Sequence, residues 1–170
     1  VIINLVTLDE TANFQSVSAT TFDNGQDTLT INGFSGNDDI ALPNFVTTAY
    51  GHDGNDIISG GTAPDTIFGN DGNDVLNGFE DSDRLTGGAG QDTFQITLGD
   101  DLITDLETGD NFTVANGATL RATEISQFTA SSLTSNSGTA LLSSGNSGST
   151  IDLTNSSSGA YSCLLYTSPS

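Results

Sequence analysis

A single apolar side chain returns at every ninth residue through the middle of the chain, in a background of Asp, Gly, Asn and Thr. Cutting the sequence into nine-residue cells from residue 33 through residue 113 needs no insertion or deletion. The eighth position of the cells reads Ile40, Ala49, Ile58, Ile67, Leu76, Leu85, Phe94, Ile103 and Phe112. A fixed period of this kind indicates a repeat architecture.

Two further features of the repeat, an Asp at position six and recurring glycines, predict the backbone conformation of each cell. Position six is Asp in every cell but the second, at Asp38, Asp56, Asp65, Asp74, Asp83, Asp92, Asp101 and Asp110. Glycines recur at positions one, two and four, where they permit positive φ and close approach of neighbouring backbones. Positions seven to nine predict a short strand, in which alternation turns one side chain inward. Two cells then form one coil of a flattened parallel solenoid, and stacked coils bury the position-eight ladder.

This register predicts the direction of individual side chains. The inward set is Ile58, Ile67, Leu76 and Leu85, and the outward set is Ile57, Thr66, Val75 and Arg84. Tyr50 and Phe68 occupy the same outward position nine in successive coils, so we expect them to stack on each other or to meet a flanking segment, with two ordinary exposed aromatics as the alternative.

The charge balance indicates what such a solenoid needs. Acidic residues outnumber basic ones 22 to 2, for a formal net charge of -20. A surface of this sign repels nucleic acid and anionic lipid, and no apolar run approaches the length of a membrane span. Low hydrophobicity with high net charge normally gives a disordered chain. Cations are therefore the predicted partners.

The turns fall on two unequal edges of the predicted solenoid. The turns of the first edge begin at Gly33, Gly51, Gly69, Gly87 and Asp105, and those of the second edge at Leu42, Gly60, Gly78 and Ile96. The first four turns of the first edge keep Gly at position four and Asp at position six. On the second edge Ala63 and Asp81 replace that Gly, and we expect both residues to resist positive φ. Well-formed sites are thus predicted along the first edge and weak ones along the second.

The cells resemble the RTX nonapeptide G-G-x-G-x-D-x-U-x, a Ca²⁺-binding repeat. The resemblance covers residues 33–113 and implies an all-β, right-handed parallel β-roll in a protein that a type I apparatus secretes unfolded. It also implies that each Ca²⁺ lies between stacked turns of one edge. The carbonyls of positions two and four and the position-six carboxylate come from one turn. Positions one, three and six of the next turn complete the shell.

Carried onto this sequence, the resemblance implies a ligand set. On the first edge the carboxylates are Asp38, Asp56, Asp74, Asp92 and Asp110. Backbone ligands there come mainly from Phe34, Gly36, Gly51, His52, Asp53, Gly54, Gly69, Asn70, Asp71, Gly72, Gly87, Gly88, Ala89 and Gly90. The weaker edge has Asp65, Asp83 and Asp101. Oxygen ligands suit Ca²⁺, and we expect about three to four ions on the first edge and about one or two weaker ones on the second.

The flanks are less regular. Residues 1–32 contain the strand-like segments VIINLV and DTLTI and a partial repeat at residues 25–29, so this region continues the roll or begins another strand stack. Residues 114–162 are rich in Ser and Thr; GTALLSS and STIDLTN, separated by GNSG, predict a hairpin in a strand-rich cap, with a flexible tail as the alternative. Residues 163–170, CLLYTSPS, resemble a translated sequencing adapter, against the alternative of a natural tail. We expect both ends of the chain to be cut.

Three functional classes remain open. The favoured one is a non-enzymatic Ca²⁺-binding module that folds after type I secretion as part of a larger extracellular or cell-surface protein. The second is the C-terminal part of a secreted protease or lipase whose catalytic domain lies elsewhere. The third is a spacer in an adhesin or S-layer protein. The sequence shows no catalytic constellation and no Cys or His cluster for zinc, which favours the first class.

Overall fold

The protein is all-β and is built from parallel strands. The computed structural model describes residues 2–4, 11–13, 29–144 and 149–164, and for residues 2–4, 11–13 and 162–164 it describes the backbone alone. Among the described residues every strand pairing is parallel, and no helix is long and apolar enough to cross a bilayer. The predicted partial repeat at residues 25–28 and tail residues 165–170 lie outside the described residues.

The strands form two large sheets and one small one. Sheet A has nine strands: β1 (Ile2–Asn4), β3 (Leu29–Ser35), β5 (Thr47–Asp53), β7 (Thr66–Asp71), β9 (Arg84–Ala89), β11 (Asp100–Ile103), β13 (Thr119–Ile125), β16 (Thr139–Ser144) and β18 (Tyr161–Leu164). Sheet B has seven: β2 (Thr11–Asn13), β4 (Asp39–Ala41), β6 (Ile57–Ser59), β8 (Val75–Asn77), β10 (Thr93–Ile96), β12 (Asn111–Val114) and β15 (Ser135–Asn136). The third sheet pairs β14 (Gln127–Thr129) with β17 (Thr150–Asp152).

The chain alternates between sheets A and B with an 18-residue coil, as the nine-residue period predicts. In sheet B, Ile40 pairs with Ile58 and Ile58 with Leu76. In sheet A, Ala49 pairs with Ile67 and Ile67 with Leu85. The same spacing of 18 recurs in the hydrogen bonds between turns. The predicted β-roll is confirmed.

The core is the position-eight ladder. Ile58, Ile67, Leu76 and Leu85 are fully buried, whereas Ile57 is about half exposed. Thr66, Val75 and Arg84 also point outward, and the rings of Tyr50 and Phe68 stack with centroids 4.9 Å apart. Because a three-residue strand such as β4 or β6 buries only one side chain, each coil depends on its neighbours for a dry interior.

The solenoid continues past the repeats and widens. Ile103 of β11 pairs with Ala122 of β13, which itself pairs with β16, and β16 pairs with β18. The added β14–β17 sheet gives these last coils a third side. Phe128 fills the extra corner, fully buried and stacked on Phe112 at 5.7 Å.

The predicted hairpin between residues 138 and 155 is wrong. Its two segments do form strands, β16 and β17, but β16 lies in sheet A between β13 and β18, whereas β17 pairs with β14. Parallel stacking wins because each segment finds an apolar neighbour one coil earlier, such as Ala122 beside Leu142.

Candidate metal centre

The first four turns of the first edge share one backbone conformation. Phe34, His52 and Asn70 at position two have φ of 77°, 78° and 79°. Gly54 and Gly72 at position four have φ of 137° and 139°. These three position-two residues are not glycines, so the stacking of the coils holds them in a region that L residues rarely occupy. Each turn is therefore a copy of the one before it, displaced by one strand spacing.

The position-six aspartates form a buried ladder inside this edge. Asp38, Asp56, Asp74, Asp92 and Asp110 are at most 3% exposed. The backbone N–H of each of the first four donates to Oδ1 of the Asp one coil later: Asp38 to Asp56 at 2.8 Å, Asp56 to Asp74 at 2.8 Å, Asp74 to Asp92 at 2.9 Å and Asp92 to Asp110 at 3.0 Å. One oxygen of each acceptor carboxylate is thereby committed to the fold.

The second oxygen is not committed in the same way. In the described part of the chain, Oδ2 of Asp56, Asp74 and Asp92 is buried and accepts no hydrogen bond. Each of these oxygens points at the position-one glycine of its own turn. A Cβ on Gly51 would lie 2.1 Å from Oδ2 of Asp56 and 2.8 Å from the carbonyl oxygen of Gly69. Position one is Gly because the carboxylate and the next turn's carbonyl meet there, and no positive φ is involved.

The position-four carbonyl oxygens of Gly36, Gly54 and Gly72 on the first edge each point at the position-four glycine of the next turn. The carbonyl oxygen of Gly54 points at Gly72, where a Cβ would lie 1.8 Å from it. No described residue donates a hydrogen bond to the carbonyl oxygens of Gly54 or Gly72. The position-three carbonyls are engaged, since Asp53 accepts from the N–H of Gly36 and Asp71 from that of Gly54. Among the described residues no three His, Cys, Asp or Glu side chains converge, so the oxygens beside each carboxylate are backbone carbonyls.

The second edge has the same carboxylate ladder. Thr47 N–H donates to Oδ1 of Asp65, Asp65 N–H to that of Asp83, and Asp83 N–H to that of Asp101, at 2.8, 2.7 and 3.1 Å. In the described region, Oδ2 of Asp83 and Asp101 is buried without a hydrogen bond. By contrast, Oδ2 of Asp65 accepts a hydrogen bond from the N–H of Gly61. Oδ2 of Asp110, on the first edge, likewise accepts one from the N–H of Glu107.

The expectation that Asp81 resists positive φ is wrong. Asp81 has φ of 67° and Phe79, at position two of the same turn, has φ of 74°. Asp tolerates positive φ better than most L residues. The carboxylate ladder also bonds the nearby Asp83 to the coils on both sides, which fixes the backbone that follows Asp81. Ala63 does not adopt positive φ, so the turn that begins at Gly60 departs from the first-edge conformation.

Burial shapes the electrostatics of both edges. On the first edge, desolvation raises the pKa of Asp74 to about 7. On the second edge, it raises the pKa values of Asp65 and Asp101 to about 7 and that of Asp83 to about 6. In each case a hydrogen bond from a backbone N–H opposes the shift. The pKa values of Asp56 and Asp92 are raised for the same main reason. In the described part of the chain the one salt bridge joins Arg121 to Asp100, at 2.6 Å near the surface. No described residue forms a salt bridge with the buried carboxylates of Asp56, Asp74, Asp83, Asp92 and Asp101.

These features fit a hard divalent cation. Buried carboxylate oxygens without partners, carbonyls without donors and a glycine at each point of convergence form a set of oxygen ligands of the kind Ca²⁺ takes. The side chain of His52 is placed elsewhere: it stacks on Phe34 at 5.5 Å, and its Nε2 lies 3.3 Å from Oδ1 of Asn32. Only its backbone belongs to the turn, as the resemblance implies.

Two groups of residues near these turns were missed by the sequence analysis. Asp105 accepts the N–H groups of Gly87 and Gly88 at 3.0 and 2.8 Å, so it caps the preceding turn. Asn37, Asn55 and Asn73 at position five accept the N–H of the next coil. The recurring triplet Gly-Asn-Asp was the signal for the asparagines, whereas Asp105 has no counterpart in the other turns.

Comparison with known proteins agrees with this geometry. A family model described as "RTX calcium-binding nonapeptide repeat (4 copies)" matches residues 48–63 and 59–94. No curated protein and no solved structure matches the chain. The matched residues include the first-edge turns that begin at Gly51, Gly69 and Gly87. Residues 48–94 of the chain therefore match RTX calcium-binding nonapeptide repeats.

Proposed function

We propose that this chain is a Ca²⁺-binding module that folds when the ion binds, within a larger protein that a type I apparatus exports to the cell exterior. The observation that carries the proposal is the ladder of buried carboxylates, in which Oδ2 of Asp56, Asp74 and Asp92 accepts no hydrogen bond from any described residue. Burying a carboxylate without a countercharge is costly, and here the same arrangement repeats in successive coils. A bound cation removes that cost at every step of the ladder.

The residues of this chain have distinct parts in such a site. Oδ1 of Asp56, Asp74 and Asp92 accepts the backbone N–H of the Asp one coil earlier. Oδ2 of the same carboxylates and the position-four carbonyl oxygens are the ligands offered to the ion. The bound Ca²⁺ supplies positive charge and oxygen coordination. Because every site lies between two coils, binding joins neighbours that otherwise repel each other through the 14 Asp and two Glu between residues 33 and 113.

The secretion context follows from the affinity expected of such sites. Extracellular Ca²⁺ modules bind with Kd of about 10⁻⁴ to 10⁻³ M. Cytosolic Ca²⁺ is too scarce to occupy sites of that strength, so the chain stays unfolded and competent for export inside the cell. Millimolar Ca²⁺ outside then stabilises the folded state, by about 1.4 kcal/mol for each ion at ten times its Kd.

Calorimetric titration tests this proposal. We expect saturable Ca²⁺ binding in the range above, with several ions per chain, and much weaker binding of Mg²⁺, which demands octahedral geometry and retains its waters. A chain that binds neither ion at millimolar concentration, or binds both equally, contradicts the proposal.

A further inference from the structure

A ladder of amide side chains runs beside the carboxylate ladder of the first edge. Oδ1 of Asn37 accepts the backbone N–H of Asn55 at 2.8 Å, Oδ1 of Asn55 accepts that of Asn73 at 2.7 Å, and Oδ1 of Asn73 accepts that of Gln91 at 2.7 Å. We call Asn37, Asn55 and Asn73 the asparagine ladder. All three residues are exposed, so burial does not account for their recurrence.

The asparagine and aspartate ladders bond in opposite directions. The N–H of Asn55 donates to the coil before it and the N–H of Asp56 donates to the coil after it. The side chain of each residue accepts from the opposite neighbour. Positions five and six of every such turn are thus bonded to both adjacent coils. This fixes the peptide that carries the aspartate.

The second edge has no such ladder. Its position-five residues are Val46, Pro64, Ser82 and Asp100, none of which has an amide side chain. There the N–H of Asp100 donates to the carbonyl oxygen of Asp81, at 3.2 Å. That carbonyl belongs to position four, so the bond consumes an oxygen of the kind left open at Gly54 and Gly72 on the first edge.

We infer that the asparagine ladder is a set of positioning residues that makes the first edge the stronger cation-binding edge. By accepting the position-five N–H of the next coil, each Asn keeps that N–H away from the position-four carbonyl below it. The carbonyl oxygen stays open to a cation, and the neighbouring Asp is held with Oδ2 towards the position-one glycine. The inference rests on the proposed function, and it names residues whose side chains do not touch the ion.

The test compares Asn55→Ala with Asn55→Asp and with the second-edge control Ser82→Ala. Asn55→Ala leaves the N–H of Asn73 free to turn to the carbonyl oxygen of Gly54. Loss of an outer partner of this kind costs about 10-fold to 100-fold in metal affinity. Asn55→Asp keeps an acceptor oxygen and should retain the affinity of the unmodified chain. Ser82 makes no side-chain hydrogen bond to any described residue, so Ser82→Ala should leave binding unchanged.

Two readouts separate positioning from a loss of stability. Calorimetry measures Ca²⁺ affinity, and the luminescence lifetime of bound Tb³⁺ in H₂O and D₂O counts coordinated waters. In Asn55→Ala we expect added water where the Gly54 carbonyl is lost, and in Asn55→Asp the count of the unmodified chain. If Asn55→Ala does not fold, Asn73→Ala serves instead. It removes the equivalent hydrogen bond from the N–H of Gln91, at the end of the ladder.

The outcomes distinguish this inference from the proposal beneath it. If the unmodified chain binds no Ca²⁺, the proposed function and the inference both fall. If it binds Ca²⁺ and Asn55→Ala matches it in affinity and in coordinated water, the inference alone is overturned. Equal losses in Asn55→Ala and Asn55→Asp also overturn it, because the acceptor oxygen would then be irrelevant.

Discussion

The two oxygens of a position-six carboxylate perform different tasks. In Asp74, Oδ1 accepts the N–H of Asp56 and Oδ2 is buried without a hydrogen bond. The hydrogen bond to Oδ1 belongs to the fold with or without an ion. The burial of Oδ2 without a hydrogen bond makes the Ca²⁺-free fold costly. One side chain therefore both stabilises the stacking of coils and makes that stacking depend on a cation.

Replacing Asp74 by Asn separates these tasks. The amide oxygen can still accept the N–H of Asp56, but the buried negative charge is gone. We expect the Ca²⁺-free fold to become more stable and Ca²⁺ binding to weaken at the sites on both sides of Asp74. Calorimetry and thermal unfolding in a chelator measure the two effects. Asp83→Asn should lose less affinity, and equal losses in the two variants would contradict the stronger first edge.

Glycine at position four is required for two reasons: its φ is positive, and the backbone of the preceding coil leaves no room for a Cβ. A Cβ at Gly54 would lie 1.7 Å from the carbonyl oxygen of Gly36, whereas Gly117, also at positive φ, has no atom within 4 Å of that point. We expect Gly117→Ala to lower the free energy of unfolding by about 1–2 kcal/mol through φ alone. Gly54→Ala should cost about 1–3 kcal/mol more through overpacking. Chemical denaturation at saturating Ca²⁺ measures both, and equal costs would rule out the backbone clash.

At the scale of the element, each coil is a pair of short strands that share one buried ladder. Leu76 lies in β8 between Ile58 and Phe94, and all three are fully buried. Thr66 lies on the outer face of sheet A, paired with Arg84. Leu76 comes two residues after Asp74 and Thr66 one residue after Asp65, so the alternation of side chains along a strand gives the two positions opposite environments.

Aspartate substitution tests this register. Leu76→Asp places an unpaired charge in the core and should abolish Ca²⁺-induced folding. Thr66→Asp should be mild, since the new carboxylate faces solvent beside Arg84 and an opposite-charge pair across strands is worth about 0.2–1 kcal/mol. Circular dichroism at millimolar Ca²⁺ compares the variants. Equal folding of the two would mean that the inward register is misassigned.

The sequence was sufficient to predict the elements that repeat and insufficient for those that do not. The ladder from Ile40 to Phe112 indicated the coil length, the sheet type and the buried face, because one physical constraint recurs in every coil. The last coils follow no period, and the partner of β16 depends on apolar surfaces supplied by β13, far from it in sequence. The positive φ of Asp81 was missed because local preference was weighed without the neighbouring turns that fix its backbone.

At the scale of the whole molecule, negative charge opposes the stacking that the apolar ladder favours. Described residues 33–113 hold 14 Asp and two Glu against one Arg, and the position-six carboxylates lie within the stack. The division of the chain at residues 32 and 113 stays a prediction, as does the number of bound ions. The central claim is that cation binding tips this balance from an unfolded to a folded chain.

Protons should partly substitute for the cation. The Ca²⁺-free folded state holds Asp65, Asp74, Asp101 and Asp110 with pKa values raised to about 7 by burial, so it binds more protons than the unfolded chain. Its stability is therefore greatest below about pH 4 and falls as the pH rises through about 7. Circular dichroism of the Ca²⁺-depleted chain should show more strand signal at acidic than at neutral pH. The reverse order would contradict the buried, unpaired carboxylates.

The most direct measurement is the strand signal of the chain at neutral pH, recorded in EDTA and then across a Ca²⁺ titration, with Mg²⁺ at the same concentrations as the control. We predict a largely unfolded spectrum in EDTA, a cooperative gain of strand signal as Ca²⁺ reaches the millimolar range, and little change with Mg²⁺. A full strand signal in EDTA that Ca²⁺ leaves unchanged would contradict the account.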